Sequence, residues 1–253
     1  MRTRLLLLVA VTVVASACTP AQFQAWWVGQ GNAPMAEPQL SEAAAVATRY
    51  WEEVARRDRF QFTTTRIGPD LAARMTPTSY RAGCPVPLSS LVYVRVSHMG
   101  FDGREHLGEL VVHRDAAGVV ASAFESMWDD RFPIRSMRLV DDFGGSDRAS
   151  MDADNTSAFN CRRVAGTTMW SQHAYGRAID INPRENPWVS GARFSPPSAA
   201  PYVTRTPVRP GMLTASSVPV RAFTAAGWGW GGTSVSYTHL RAHETQPVIS
   251  YAV

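Results

Sequence analysis

Cysteine is scarce in this chain: Cys18, Cys84 and Cys161 are the three present in 253 residues. A disulfide-dense scaffold is therefore excluded. There is no GxGxxG or Walker loop, which removes the common nucleotide-binding signatures. No internal repeat is present, which argues against a solenoid or propeller. After residue 20 no apolar run is long enough to span a bilayer. The basic residues are scattered without a stripe, and the net charge is only +4. That balance does not indicate a nucleic-acid binder. A serine mechanism also lacks its context, because Ser171 sits in neither a nucleophile elbow nor a Ser-x-x-Lys motif. What is present is an ordinary hydrophobic content of 45 % and enough length for one domain with its own core plus extensions.

The N-terminus carries the clearest address. Arg2 and Arg4 precede an apolar run from Leu5 to Val14, followed by Ala15-Ser16-Ala17-Cys18. This is the charge, core and small-residue order of a secretory signal. Small residues directly before Cys18 also resemble a bacterial lipoprotein cleavage site, with Cys18 as the lipidated first residue of the mature protein. The alternative is an ordinary cleaved signal with a chance cysteine. The expected organisation is a signal peptide over 1–18 and a tether over 19–40. A domain over 41–232 follows, with its core in 91–232, and then a tail over 233–253.

Periodicity sketches the domain. Ser41 is a good N-cap, and Val46, Tyr50 and Val54 share one face of a helix expected to about Arg57. Leu91 to Ser97 alternates, Gly100-Phe101-Asp102-Gly103 is a turn signal, and Leu107 to His113 returns as a partner strand. Ala116 to Trp128 reads as a helix, Ile134 to Val140 as a strand, and Val218 to Ala226 as a short helix stopped by Gly227. Strand, turn, strand, helix, strand is an α+β order rather than a doubly wound one. The acidic stretch Asp141 to Asp154 reads as a solvated rim loop, and Ser190 to Pro210 as a long surface loop. His106 and His113 read as exposed strand histidines.

One block stands apart: Ser171-Gln172-His173-Ala174-Tyr175-Gly176-Arg177-Ala178-Ile179-Asp180-Ile181-Asn182-Pro183. Imidazole nitrogen and carboxylate oxygen are both zinc ligands. Residues seven apart on a straight strand face opposite sides, so His173 and Asp180 meet one ion only if the chain bends between them. Gly176 permits such a bend. Pro183 ends the strand, having no N–H for a ladder.

This block, with Asn155-Thr156-Ser157-Ala158-Phe159-Asn160-Cys161-Arg162 before it and Gly227-Trp228-Gly229-Trp230-Gly231-Gly232 after it, resembles the VanY-like zinc D-alanyl-D-alanine carboxypeptidases and peptidoglycan endopeptidases. The likeness spans roughly Leu91 to Gly232. It implies a small α+β fold, an antiparallel sheet flanked by helices, with one zinc ion held by His, Asp and a second His. It also implies a carboxylate base three residues before that second His, and an arginine that binds substrate. Carried over, His173 and Asp180 are the first two ligands, His239 stands in for the third, and Arg162 is the arginine. The family pattern ends in carboxylate-Tyr-x-His-Phe, whereas this chain reads Ser236-Tyr237-Thr238-His239-Leu240. Ser236 occupies the carboxylate position, and the preceding gap is about three residues short of the family pattern. The string from Ser234 to Thr245 reads as translated sequencing adapter, which makes 233–253 an expected non-native tail.

With Cys18 lipidated, Cys84 and Cys161 remain, and two cysteines in an exported protein most simply pair. Such a bond would brace the wall beside Arg162; the alternative is two unpaired buried thiols. The expectation is a monomeric zinc peptidase acting on peptidoglycan stem peptides. It would be anchored through Cys18 to the outer face of the bacterial cytoplasmic membrane or secreted to the wall, with no nucleic-acid partner. The competing expectation is a catalytically inactive peptidoglycan-binding lipoprotein, because a serine hydroxyl at 236 is no base near neutral pH without activation.

Overall fold

The structure is a computed structural model that describes residues 20–34, 36, scattered positions between 42 and 55, 59–233 and 248–250. The chain divides into two compact units, residues 1–59 and 60–253. In the first, α1 (Pro20–Gly29) is helical where the sequence reading expects an unpatterned tether. Pro20 opens it, a position where a missing N–H costs nothing. Glu42, Val46 and Tyr50 are helical and exposed, while Ser41, Val54 and Arg57 lie outside the described residues. So do Cys18 and the rest of the signal segment.

The second unit is α+β. β1 (Phe62–Arg66), β2 (Leu91–Met99) and β3 (Glu105–His113) form an antiparallel sheet in that spatial order. A short helix, α2 (Pro69–Met75), separates β1 from β2. The turn between β2 and β3 is tied by Gly100 N–H to Arg104 O at 2.8 Å and by Gly103 N–H to Gly100 O at 3.0 Å. Val94 and Val96 are fully buried, as expected from the alternation. α3 (Ala117–Asp129) buries Val120, Ala123, Phe124, Met127 and Trp128. Their three-and-four spacing makes one apolar stripe. That stripe joins the buried valines, together with Val220 and Phe223 of α5 (Val218–Ala225), in the main core. Fully burying side chains of this size stabilises by about 1.5–3 kcal/mol each.

The strand expected over Ile134 to Val140 shrinks to β4 (Ser136–Met137), parallel to β5 (Asn155–Thr156). The reason is a side chain. Asn155 Oδ1 accepts from Arg138 N–H at 2.9 Å, and its Nδ2 donates to Arg138 O at 2.9 Å. These bonds replace the ladder that a longer strand would need. The expected rim loop also holds structure: α4 (Asp147–Asp152) starts at Ser146, whose hydroxyl accepts from Ala149 N–H at 3.2 Å. Within the expected long loop, β7 (Trp188–Ser190) and β8 (Arg193–Ser195) form a hairpin.

β6 (Ala178–Asp180) follows the Gly176 bend, and β9 (Gly229–Trp230) follows α5. β10 (Val248–Ser250) lies between them, parallel to both. Among the described residues, no helix is long and apolar enough to cross a membrane.

Candidate functional site

The segment Ser157 to Arg162 organises the site. At one end Ser157 and Asp180 exchange backbone hydrogen bonds of 3.0 and 2.9 Å, which fixes the end of β6. Next, Ala158 O accepts from His173 Nδ1–H. Asn160 N–H donates to His173 O at 3.2 Å, and Arg162 O accepts from Ser171 N–H at 3.1 Å. Cys161 N–H donates to Ser79 O at 2.9 Å, and its sulfur is bonded to Cys84. The expected disulfide is therefore formed, and it ties this segment to a second apolar cluster of Met75, Leu91, Val111, Leu139 and Phe159.

His173 lies on a 3₁₀ turn, Gln172–Tyr175, whose first backbone N–H groups are met by Ser171 Oγ, accepting from His173 N–H at 3.3 Å. Gly176 ends the turn in left-handed backbone, φ 68°. A Cβ there would stand 2.5 Å from His113 N, so glycine is needed on two counts, conformation and space. The bend brings His173 Nε2 within 3.2 Å of Asp180 Oδ2. Both residues are buried, at 4 % and 1 % exposure.

The donor set fits a cation. His173 gives its Nδ1 proton to Ala158, so the Nε2 lone pair points at the Asp180 carboxylate. Nε2 and both Asp180 oxygens are buried and lack a hydrogen-bond partner among the described residues. Two lone-pair donors facing each other in a dry place require positive charge between them. A metal ion would satisfy them, and a backbone carbonyl on Nδ1 is the usual support of a metal-binding imidazole. Without an ion a proton serves instead. Burial alone would lower the His173 pKa, but the charge and hydrogen bond of Asp180 outweigh it and raise it. Among the described residues no group of three or more His, Cys, Asp or Glu is placed to hold a metal. His239 lies outside the described residues.

Arg162 is partly buried, and its Nη2 lies 3.0 Å from Asp147 Oδ2. Asp147 is a site residue that the sequence reading passed over inside its rim loop. Burial raises its pKa, Arg162 draws it down, and Asp180 raises it again. The carboxyl thus shares the electrostatic field of the His173–Asp180 pair. The N-cap pattern Ser146-Asp147 was the available signal, since it marks a helix start and not a solvated loop.

Two acidic residues of the expected rim loop, Asp141 and Asp142, are held by partners of their own. Asp141 accepts from the Thr78 hydroxyl and from Ser79 N–H and Oγ–H, the last two at 3.1 and 2.9 Å. Asp142 pairs with Arg74 at 2.6 Å and Arg138 at 2.8 Å. Asp129 and Asp130 close α3. His106 is exposed and pairs with Asp102 at 3.0 Å, while His113 is half-buried and accepts from Asp115 N–H at 3.3 Å. Trp228 belongs to the core, packed on Phe223 with ring centroids 5.0 Å apart.

A family model described as D-alanyl-D-alanine carboxypeptidase matches residues 165–240. The chain is similar to this peptidase family over the window that holds His173, Asp180 and His239. No characterised protein and no solved structure matches the chain at a significant level.

Proposed function

We propose that the protein is a zinc-dependent peptidase of the peptidoglycan envelope, acting on stem peptides as a D-Ala-D-Ala carboxypeptidase or a related endopeptidase. The single observation that carries this reading is the buried, unsatisfied His173–Asp180 pair lying inside the window that matches the carboxypeptidase family. His173 and Asp180 would hold the ion, with His239 as the third ligand. Bound there, zinc supplies Lewis acidity and a water of near-neutral pKa.

The remaining work falls to the chain. Ala158 O fixes the His173 ring, and the Ser157 bridge fixes Asp180, so both donors are positioned before anything binds. Arg162 presents planar paired N–H groups suited to a substrate carboxylate or to a developing oxyanion. Asp147 holds the guanidinium through Nη2. A carboxypeptidase needs this arginine for the terminal carboxylate, whereas an endopeptidase needs it less strictly. Export through the N-terminal signal and lipidation at Cys18 would put a monomer beside its wall substrate.

A second reading is favoured by one feature, Ser236 in the family's carboxylate position. On that reading the chain binds muropeptides without cutting them. One experiment separates the two. Purified protein with zinc is incubated with a stem pentapeptide and released D-alanine is measured, alongside His173→Ala. Release by the wild type and none by the variant supports the peptidase. Tight pentapeptide binding with no release by either protein overturns it in favour of the binder.

A further inference from the structure

Asp154 and Glu185 are each 1 % exposed and play no part in the His173–Asp180–Arg162 group. Asp154 precedes β5 in left-handed backbone, φ 56°. Glu185 lies five residues beyond Asp180. The two segments run side by side as a seam. Ser157 and Asp180 bridge one end. Thr156 Oγ1 then accepts from Asn182 N–H at 3.2 Å, and Asp154 Oδ1 accepts from Arg184 N–H at 3.0 Å. The Asp154 and Glu185 carboxyls close the far end of the seam that holds Asp180.

Two carboxyls meet here away from water. Asp154 Oδ2 and Glu185 Oε2 are buried and without a hydrogen-bond partner among the described residues. Among the described residues one cation reaches both carboxyls, and it does so from the surface. Arg135 approaches Asp154 Oδ2 at 3.5 Å and Glu185 Oε1 at 3.8 Å, but its side chain is 45 % exposed and lies over the Phe101 ring. Arg205 directs its guanidinium to the carbonyls of Glu185 and Leu213 and to the Asn186 side chain. Arg209 lies over the Tyr202 ring, 4.2 Å from its centroid. Arg184 Nε is buried with no hydrogen bond among the described residues, and the nearby Tyr202 hydroxyl works to lower the Glu185 pKa. Two full negative charges side by side in low dielectric repel strongly, and one proton between them removes the repulsion.

We propose that Asp154 and Glu185 hold one proton between them in the folded chain, and that its loss to solvent loosens the seam that positions Asp180. Burial first, and the Asp154 carboxyl second, push Glu185 from 4.5 up to about 7. Because the folded value lies above the unfolded one, the folded chain binds more protons between them. Stability from this pair therefore falls as pH rises from about 4.5 to about 7, and the loss is complete above that window. The shift corresponds to a change in the folding constant on the order of 100-fold.

The test compares the full chain with Glu185→Gln, whose amide keeps the shape without the charge. Denaturant unfolding is measured from pH 5 to pH 8.5. The wild type is expected to lose roughly 100-fold in its folding constant relative to the variant across this range. Contributions from His173 and other groups are common to both chains and cancel. Parallel pH curves overturn the proposal. Should the variant fail to fold, the wild type alone decides through its infrared spectrum. A protonated-carboxyl band at pH 6 that vanishes by pH 8.5 supports the shared proton, and its absence at pH 6 refutes it. Amide-exchange protection at Ser157 and Asp180 should drop over the same range; unchanged protection refutes the link to the seam. Recovery of wild-type stability at pH 8.5 on adding calcium chloride, with none in Glu185→Gln, would show that a cation and not a proton closes the pair.

Discussion

Removing the Cys84–Cys161 bond tests how the site wall is held. The bond closes a loop of 77 residues in sequence separation. In the chain-entropy account, cross-linking ends that far apart restricts the unfolded ensemble by ~4.5 kcal/mol at 25 °C. The loop contains β2, β3, α3 and α4, so most of the sheet and the segment leading into the site lie within it. Cys161 is fully buried, so the double change Cys84→Ala/Cys161→Ala is preferable to serine, which would bury an unpaired hydroxyl. Domains are stable by only about 5–15 kcal/mol, so the double variant should lose roughly a third of its stability at least. Its midpoint of thermal unfolding should fall by roughly 10–15 °C. The assay is reversible guanidinium denaturation of both chains, with thiol titration confirming that the wild type exposes no Cys84 or Cys161 thiol. Exchange of the Asn160 and Arg162 amides should quicken in the variant. A loss below about 1 kcal/mol would refute the reasoning. It would mean that the Cys161–Ser79 backbone bond and the Met75–Phe159 cluster already confine the loop ends without the covalent link.

Three further outcomes follow from the geometry. Gly176→Ala should destabilise by more than about 1 kcal/mol, because a left-handed φ of 68° and a contact 2.5 Å from His113 N are both violated; denaturant unfolding within a few tenths of wild type contradicts this. In the metal-free chain the raised His173 pKa gives stability that is full below 6.5 and is lost as pH rises through the folded value. Zinc competes for the same nitrogen, so calorimetric zinc affinity should rise over that window, and pH-independent affinity would exclude His173 as a ligand. Arg162→Lys keeps the charge but loses the planar guanidinium whose Nη2 meets Asp147. Under the peptidase reading it should cut kcat/KM for a pentapeptide by roughly 10- to 100-fold, and steady-state kinetics equal to wild type would remove Arg162 from substrate binding.

Local pattern alone determined much of the fold. The β2–β3 hairpin, α3 and α5 were legible because each buries one face whose period is written in consecutive residues, as Val94 and Val96 or Val120, Phe124 and Met127 show. The bend at Gly176 was legible too, since only glycine combines left-handed backbone with the absence of a side chain. The pairing of Cys84 with Cys161 followed from how few cysteines there are. Tertiary structure decided the rest. No local signal announced that the Asn155 side chain would satisfy Arg138 and cut short the expected strand. Nothing local placed Asp147 against Arg162, or brought Asp154 to Glu185 across 31 positions. These arrangements are contacts between distant segments. Their partners are selected by burial and by the need to satisfy polar groups once the chain has closed on itself, and neither exists in the sequence until it folds.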